Sequence, residues 1–251
     1  MLYPLLVSTM AGVSTALGAV IVILRKGISD DGMAFSQGFA AGVMLTVSLA
    51  DIIPESFDKY YVYMNGINAL KAVTSLFVVG WIMGWAVSGI ATGERKYNND
   101  RLVSAKRMAA VTTAVMILHN LPEGVLTFFT SAENTGMGLK MALAVALHNI
   151  PEGMAIAAPV WYASGSKLKA FAQAFGAGMA EPLGGVILFL IMHQYITPAF
   201  LNGIMPVVAG VMCQTAVCEL IPNSMEISNI KHTLCGIISG ISVMSIGLLL
   251  F

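Results

Sequence analysis

The chain has 251 residues, of which 57% are hydrophobic and only 10% are charged. Soluble domains carry about 25% charged residues, so this composition excludes a soluble globular protein, and the formal net charge of zero excludes the basic surface of a nucleic-acid-binding protein. The mean hydropathy of +0.80 indicates a chain embedded in a lipid bilayer.

Eight apolar runs are long enough to cross a membrane, which takes about 20 residues in a helix. They are residues 4–24, 33–54, 71–92, 107–130, 139–161, 169–192, 200–221 and 233–251. The first run follows no basic segment and is long enough to span, so we predict a transmembrane helix rather than a cleaved signal peptide. Because the loops are short, residues 1–251 are predicted to form one all-α integral membrane domain.

The basic residues are distributed unevenly between the two sets of loops. With the N-terminus outside, eight crossings place Lys59, Lys71 and Lys140 outside and ten basic residues inside. The ten are Arg25, Lys26, Arg95, Lys96, Arg101, Lys106, Arg107, Lys167, Lys169 and Lys231. Cytoplasmic loops are enriched in Lys and Arg, so both termini are predicted to lie outside.

Two parts of the chain resemble each other at an offset of 168 residues. Ala-Gly-Val-Met at residues 41–44 recurs at 209–212, and the same offset aligns Asp51 with Glu219. Helix 1 matches helix 6 at a nearby offset. Each copy lies five helices after its match along the chain, an odd number, so the copies cross in opposite directions, as in the inverted repeats of secondary transporters. We predict an inverted repeat of helices 1–3 and 6–8 around helices 4 and 5; chance similarity between Gly- and Ala-rich helices is the alternative.

A seven-residue phrase occurs twice. It reads Leu-His-Asn-Leu-Pro-Glu-Gly at residues 118–124 in helix 4 and Leu-His-Asn-Ile-Pro-Glu-Gly at 147–153 in helix 5. In the first copy His119 and Glu123 are four residues apart, which places them on one helix face. The proline removes a backbone N–H and frees a carbonyl one turn earlier. Helix 5 repeats the same pattern.

The two copies, with a third acid in helix 6, offer metal ligands where charge is costly. Imidazole and carboxylate together suit zinc and its first-row neighbours better than calcium or magnesium. Intramembrane carboxylates without basic partners need protonation or a cation. Hydrogen bonding between helices is the alternative, but it does not explain why His, Asn, Pro and Glu recur together. The candidate ligands are His119, Asn120, Glu123, His148, Asn149, Glu152 and Glu181.

Further acids lie near predicted helix ends. Asp51 and Glu55 would lie at the outer end of helix 2, and Glu219 at the inner end of helix 7, where acidic vestibules concentrate cations. The alternative is that these acids only mark the headgroup boundary. Met44 and its match Met212 lie at mid-helix depth, where a thioether can bind a soft metal, although the 17 methionines of the chain favour a packing role for Met212.

The doubled His-Asn-x-Pro-Glu-Gly phrase, with Glu-Pro-x-Gly at residues 181–184, resembles the ZIP (Zrt/Irt-like protein) family of metal transporters, most closely its short bacterial members. The resemblance covers essentially the whole chain. It implies an integral protein of the bacterial inner (cell) membrane that moves Zn²⁺ into the cytoplasm, with Fe²⁺, Mn²⁺, Co²⁺ and Cd²⁺ as further cargo. The metal ion would be a substrate rather than a prosthetic group. Its partners would be the lipid bilayer and a second copy in a homodimer, without nucleic acid.

The resemblance also implies a binuclear site and a mode of movement. One metal would be bound by His119, Glu123, His148 and Glu152, with Met44 beside it. The other would be bound by Asn120, Glu123, Asn149, Glu152 and Glu181, so that two glutamates bridge the metals. An elevator-like movement of helices 1, 4, 5 and 6 would carry the metal.

Two functions from other classes are alternatives to transport. An intramembrane zinc hydrolase would need a general base and an open coordination position, as in His-Glu-x-x-His, and that sequence is absent from the chain. A metal sensor would need a soluble signalling domain, for which no loop is long enough. We therefore predict a transporter and no enzymatic activity.

Overall fold

A computed structural model describes residues 2–92, 101–192 and 197–250. These residues form eight helices with the length and hydropathy of membrane spans, which confirms the predicted all-α fold. They are α1 (Leu2–Ile23), α2 (Asp30–Tyr61), α3 (Gly66–Thr92), α4 (Arg101–Glu133), α5 (Thr135–Ser164), α6 (Lys167–Gly178 and Ala180–Met192), α7 (Pro198–Thr215, Ala216–Leu220 and Ile221–Ile227) and α8 (Ile230–Leu250). Arg95 and Lys96 of the predicted loop between α3 and α4 lie outside the described residues.

Several helices are longer than the apolar runs that predicted them. α2 continues to Tyr61, through an amphipathic last segment in which Lys59 Nζ lies 2.8 Å from Glu55 Oε1 one turn away. α4 and α5 are separated only by Asn134, whose side chain accepts hydrogen bonds from two backbone N–H groups at the start of α5. This N-cap begins a new helix at once, so the loop predicted at residues 131–138 is a single residue.

Contacts between helix ends define two faces of the molecule. At one face the Tyr3 hydroxyl donates to the Thr135 carbonyl at 2.9 Å, which brings together the starts of α1 and α5. At the other face Asp31 Oδ1 lies 3.2 Å from His232 Nδ1, which brings together the starts of α2 and α8. Successive helices are therefore antiparallel. We call the face with Tyr3, at which the chain begins and ends, the terminal face, and the face with Asp31 the opposite face.

Helices α1, α4, α5 and α6 pack backbone to backbone at glycines. A Cβ on Gly153 of α5 would collide with the Thr15 carbonyl of α1, and a Cβ on Gly124 of α4 would collide with the Glu181 carbonyl of α6. Small residues allow membrane helices this close approach. Further glycines join α2 to α8 and α3 to α7 in the same way. The closest contacts of the described glycines thus lie within the α1-α4-α5-α6 bundle or within these two pairs.

α2 and α7 each contain a π-helical turn, Val47–Ile52 in α2 and Ala216–Leu220 in α7. In both helices the next residues are Ile-Pro, and the isoleucine N–H bonds to the carbonyl five residues back. Proline has no N–H to continue the regular ladder, and π turns are often found at functional sites. These turns carry Asp51 and Glu219.

Candidate metal centre

The doubled phrase and the acid of α6 meet in the interior of the α1-α4-α5-α6 bundle. α4 and α5 both continue through the prolines of the phrase as helices. Contacts between the polar side chains join the three helices. Each of the seven candidate ligands is at most 4% exposed: His119, Asn120, Glu123, His148, Asn149, Glu152 and Glu181.

Each histidine of the phrase faces the glutamate of the other helix. His119 Nε2 of α4 lies 3.1 Å from Glu152 Oε1 of α5, and His148 Nε2 of α5 lies 3.4 Å from Glu123 Oε1 of α4. The spacing in sequence places each histidine on one face with its own glutamate. The structure adds that the two copies are joined by two reciprocal pairs across the helix interface.

Both asparagines of the phrase are anchored through their amide nitrogens. Asn120 Nδ2 donates to the Ala177 carbonyl of α6 at 3.0 Å, and Asn149 Nδ2 donates to the Ala11 carbonyl of α1 at 3.0 Å. Asn149 Nδ2 also donates to Glu181 Oε1. Because the nitrogens are engaged, the amide oxygens are kept for another partner.

Five buried oxygens at this place have no hydrogen-bond partner among the described residues. They are Asn120 Oδ1, Glu123 Oε2, Asn149 Oδ1, Glu152 Oε2 and Glu181 Oε2. Buried polar atoms are nearly always paired, and each unpaired one costs roughly 1–3 kcal/mol. A cluster of hydrogen-bond acceptors without donors is typical of a cation site, since a cation satisfies several oxygens at once.

The side chains are not arranged around a metal position as they stand. In the part of the chain that the structure describes, no group of three or more His, Cys, Asp or Glu side chains could hold a metal ion directly. The histidines and glutamates contact one another instead. A metal that binds here must therefore separate the two His–Glu pairs, because the Nε2 and Oε1 atoms that touch are the same atoms that would ligate it.

A cleft on the terminal-face side reaches the His148–Glu123 pair. Asp51 and Glu55 of α2 line it together with that pair, and about 60 Å³ of it admits the centre of a water molecule. A single water needs roughly 10–15 Å³ by this measure, so the cleft has room for a few waters or a partly hydrated cation. Asp51 is partly buried, whereas Glu55 is exposed and paired with Lys59.

Glu219 and Met44 are buried but do not line this cleft. Glu219 lies in the π turn of α7 and is 5% exposed. Met44 lies in the main apolar cluster, together with Met212. An exit vestibule at Glu219 and a sulfur ligand at Met44 stay predictions.

The chain also matches known proteins over most of its length. Residues 88–247 match the family model described as ZIP Zinc transporter. The chain belongs to the ZIP family. A relative named zinc transporter ZupT, from Salmonella heidelberg (strain SL476), is 37% identical to this ZIP chain over 256 residues, which is 100% of this chain and 97% of the relative. A second, from Salmonella newport (strain SL254), is 37% identical over 253 residues, with 98% and 96% covered.

Membership of the ZIP family decides between the classes of function that the sequence left open. ZIP proteins are transporters, so this ZIP chain is a membrane transporter and not an enzyme. The alternative of an intramembrane zinc hydrolase is therefore wrong.

Proposed function

We propose that this ZIP protein carries Zn²⁺ across a bacterial inner membrane into the cytoplasm through a binuclear site in the α1-α4-α5-α6 bundle. The observation that carries the proposal is the cluster of five buried oxygens that have no hydrogen-bond partner in the described part of the chain, beside two His–Glu pairs. One metal is bound by His119, Glu123, His148 and Glu152, with Met44 near it. The other is bound by Asn120, Glu123, Asn149, Glu152 and Glu181.

The chemistry of the donors supports zinc as the cargo. Imidazole nitrogen with carboxylate oxygen suits Zn²⁺ and its first-row neighbours, and the relatives are named zinc transporters. The same donors accept Fe²⁺, Mn²⁺, Co²⁺ and Cd²⁺, which we propose as further cargo. The transport unit is one chain, and two such units form a homodimer.

We place the terminal face outside the cell, because the basic residues are concentrated in the loops of the opposite face. The cleft then opens to the outside. Metal enters past Asp51, displaces the His–Glu contacts and leaves past Glu219 on the cytoplasmic side. The α1-α4-α5-α6 bundle is the moving unit. Its glycine-mediated packing supports this, since the closest backbone contacts of the described glycines lie within the bundle or within the α2–α8 and α3–α7 pairs, and none of them joins the bundle to either pair.

A flux measurement tests the proposed site. Zinc uptake into proteoliposomes that contain a zinc-sensitive dye should fall at least about tenfold in His119→Ala and in Glu152→Ala, because each change removes a ligand and leaves its partner unpaired in a buried pair. Glu133→Gln, an exposed acid at the end of α4, serves as the control and should keep wild-type uptake. Unchanged uptake in both ligand variants would disprove the site.

Asp51, the acid at the proposed entrance, should affect the apparent affinity for zinc more than the turnover. Asp51→Asn is expected to raise the KM for zinc several-fold and to leave kcat within about twofold, because the carboxylate raises the local cation concentration in the cleft. High salt should shrink the difference, since screening weakens the field of a partly exposed charge. Glu55→Gln should raise KM less, because Lys59 lies 2.8 Å from that carboxylate. A fall in kcat with KM unchanged would contradict the entrance role.

A further inference from the structure

One buried hydrogen bond joins α2 to α5 on the opposite-face side of the metal centre. Gln37 Nε2 donates to the Ala155 carbonyl at 2.7 Å, and both residues are fully buried. Ala155 lies about one turn beyond Glu152 along α5, away from the cleft. Because α5 belongs to the α1-α4-α5-α6 bundle and α2 does not, this bond crosses the boundary between the moving unit and the rest of the protein.

The Ala155 carbonyl needs an outside donor because residue 159 is a proline within α5. In an α-helix the N–H of residue 159 would bond to the carbonyl of residue 155, and proline has no N–H. A buried carbonyl without a donor is costly. Gln37 supplies the missing donor from another helix. Its Oε1 has no hydrogen-bond partner among the described residues, so the donor side of the amide is the part that this contact uses.

The matching place on the terminal-face side is built differently. The offset of 168 residues takes Gln37 to Met205, and the offset of 29 residues between the two phrases takes Ala155 to Leu126. Met205 and Leu126 both line the open cleft. The residue that matches the proline is Thr130, which has an N–H to give. The buried place, at Gln37 and Ala155, has both the proline and the glutamine. The matching place at Met205 and Leu126, which lines the cleft, has neither.

We propose that Gln37 is the latch that holds the cytoplasmic side closed. Its bond to Ala155 forms in the state whose cleft opens to the terminal face, and it breaks when the bundle moves to release metal. Gln37 is thus a positioning residue that sets the balance between the two states without touching the metal. This inference rests on the proposed function, in which the bundle moves relative to α2.

Two reporter cysteines test the latch, in a background in which Cys213, Cys218 and Cys235 are replaced by alanine. Leu126→Cys reports on the open cleft. Ala34→Cys reports on the closed side, because Ala34 is fully buried and lies three residues before Gln37 on the same face of α2. The rates of labelling by a water-soluble thiol reagent are measured on the full chain in lipid nanodiscs.

Gln37→Met should slow labelling at Leu126→Cys and speed it at Ala34→Cys, each by about fivefold, the effect expected for one net hydrogen bond. Methionine keeps the length of the side chain and removes the donor. Unfolding would instead raise both rates. If both rates rise in Gln37→Met, the measurement is repeated with Gln37→Asn, which keeps the amide but shortens its reach. Slower labelling at Leu126→Cys with faster labelling at Ala34→Cys then supports the latch, and a rise of both rates overturns it.

Pro159→Ala provides the internal control. It restores a helical N–H for the Ala155 carbonyl, so Gln37→Met in that background should change the labelling rates by less than about twofold. Gln214→Met is the matched control, since Gln214 is as buried as Gln37 and neither of its amide atoms has a hydrogen-bond partner among the described residues. It should leave both rates unchanged.

The latch is overturned if Gln37→Met leaves both rates at the wild-type value. It is also overturned if the shift is the same with Pro159→Ala, or if Gln214→Met produces it equally. Zinc flux is measured on the same proteins. Wild-type protein that carries zinc, with labelling insensitive to Gln37→Met, refutes the latch alone, whereas wild-type protein without flux refutes the proposed function and leaves the labelling result to decide the latch.

Discussion

Replacing Glu123 and Glu152 together by glutamine should abolish zinc binding and at the same time stabilise the metal-free protein. Both carboxylates are buried against histidines, and burying an ion costs several kcal/mol that its partner repays only with excellent geometry. Glutamine has nearly the same shape and no charge, and the histidines can become neutral in turn. The double variant therefore loses both the free-energy cost of the two buried charges and the two carboxylates that would bind zinc.

The measurement is thermal unfolding in detergent with and without zinc, alongside calorimetric titration with zinc. At a free zinc concentration 100 times the dissociation constant, binding stabilises the wild type by about 2.7 kcal/mol, which corresponds to an increase in Tm of several degrees. The double variant should start from a higher Tm and show no increase with zinc. Glu55→Gln, at the exposed rim, should behave like the wild type in both conditions. A double variant with a lower metal-free Tm, or one that still binds zinc, would contradict this account.

The doubled phrase allows the candidate ligands to be named from sequence, because helical spacing alone places His, Asn and Glu on one face. The pairing of His119 with Glu152 rather than with Glu123 could not be predicted. It depends on how α4 and α5 are rotated against each other, and no local pattern records that rotation. The same holds for the asparagines, whose anchors, Ala177 and Ala11, lie on other helices.

The helix ends and the latch were missed for different reasons. Apolar length marks the part of a helix that lies in lipid, so it predicts a loop at Lys59, where the structure continues α2 as an amphipathic segment. Gln37 was missed because a single glutamine in a membrane helix has no pattern. The signal that could have found it is Pro159, which leaves the Ala155 carbonyl in need of a donor from elsewhere, although the sequence does not say from which helix.

A second large effect is expected at the glycines that end the two phrases. A methyl group at Gly124 would collide with the Glu181 carbonyl, and one at Gly153 with the Thr15 carbonyl. The neighbour is backbone in both cases and cannot rotate away, so Gly124→Ala and Gly153→Ala should each destabilise the protein by about 1–3 kcal/mol or more. Thermal unfolding of the purified variants measures the loss.

Gly176→Ala is the matched control, because Gly176 also lies in a helix of the bundle but a Cβ there meets no atom of the described residues within 4 Å. It should be neutral or stabilising by up to about 1 kcal/mol, since alanine is the better helix former. If all three variants lose the same stability, the loss does not come from helix contact. If all three variants are as stable as the wild type, α1 does not approach α5, and α6 does not approach α4, as closely as the glycine contacts indicate.

The two phrase variants should also differ in how they weaken zinc binding, because the glycines hold different ligands in place. Gly124 allows the α6 backbone at Glu181 to pack closely against α4, so Gly124→Ala should displace that carboxylate from the second metal of the proposed site. Gly153 seats α1, whose Ala11 carbonyl anchors Asn149. A displaced carboxylate removes more charge than a displaced amide, and Gly124→Ala should therefore reduce zinc affinity more at equal loss of stability. The last residue of each phrase thus acts on the ligands through the helix packed against it.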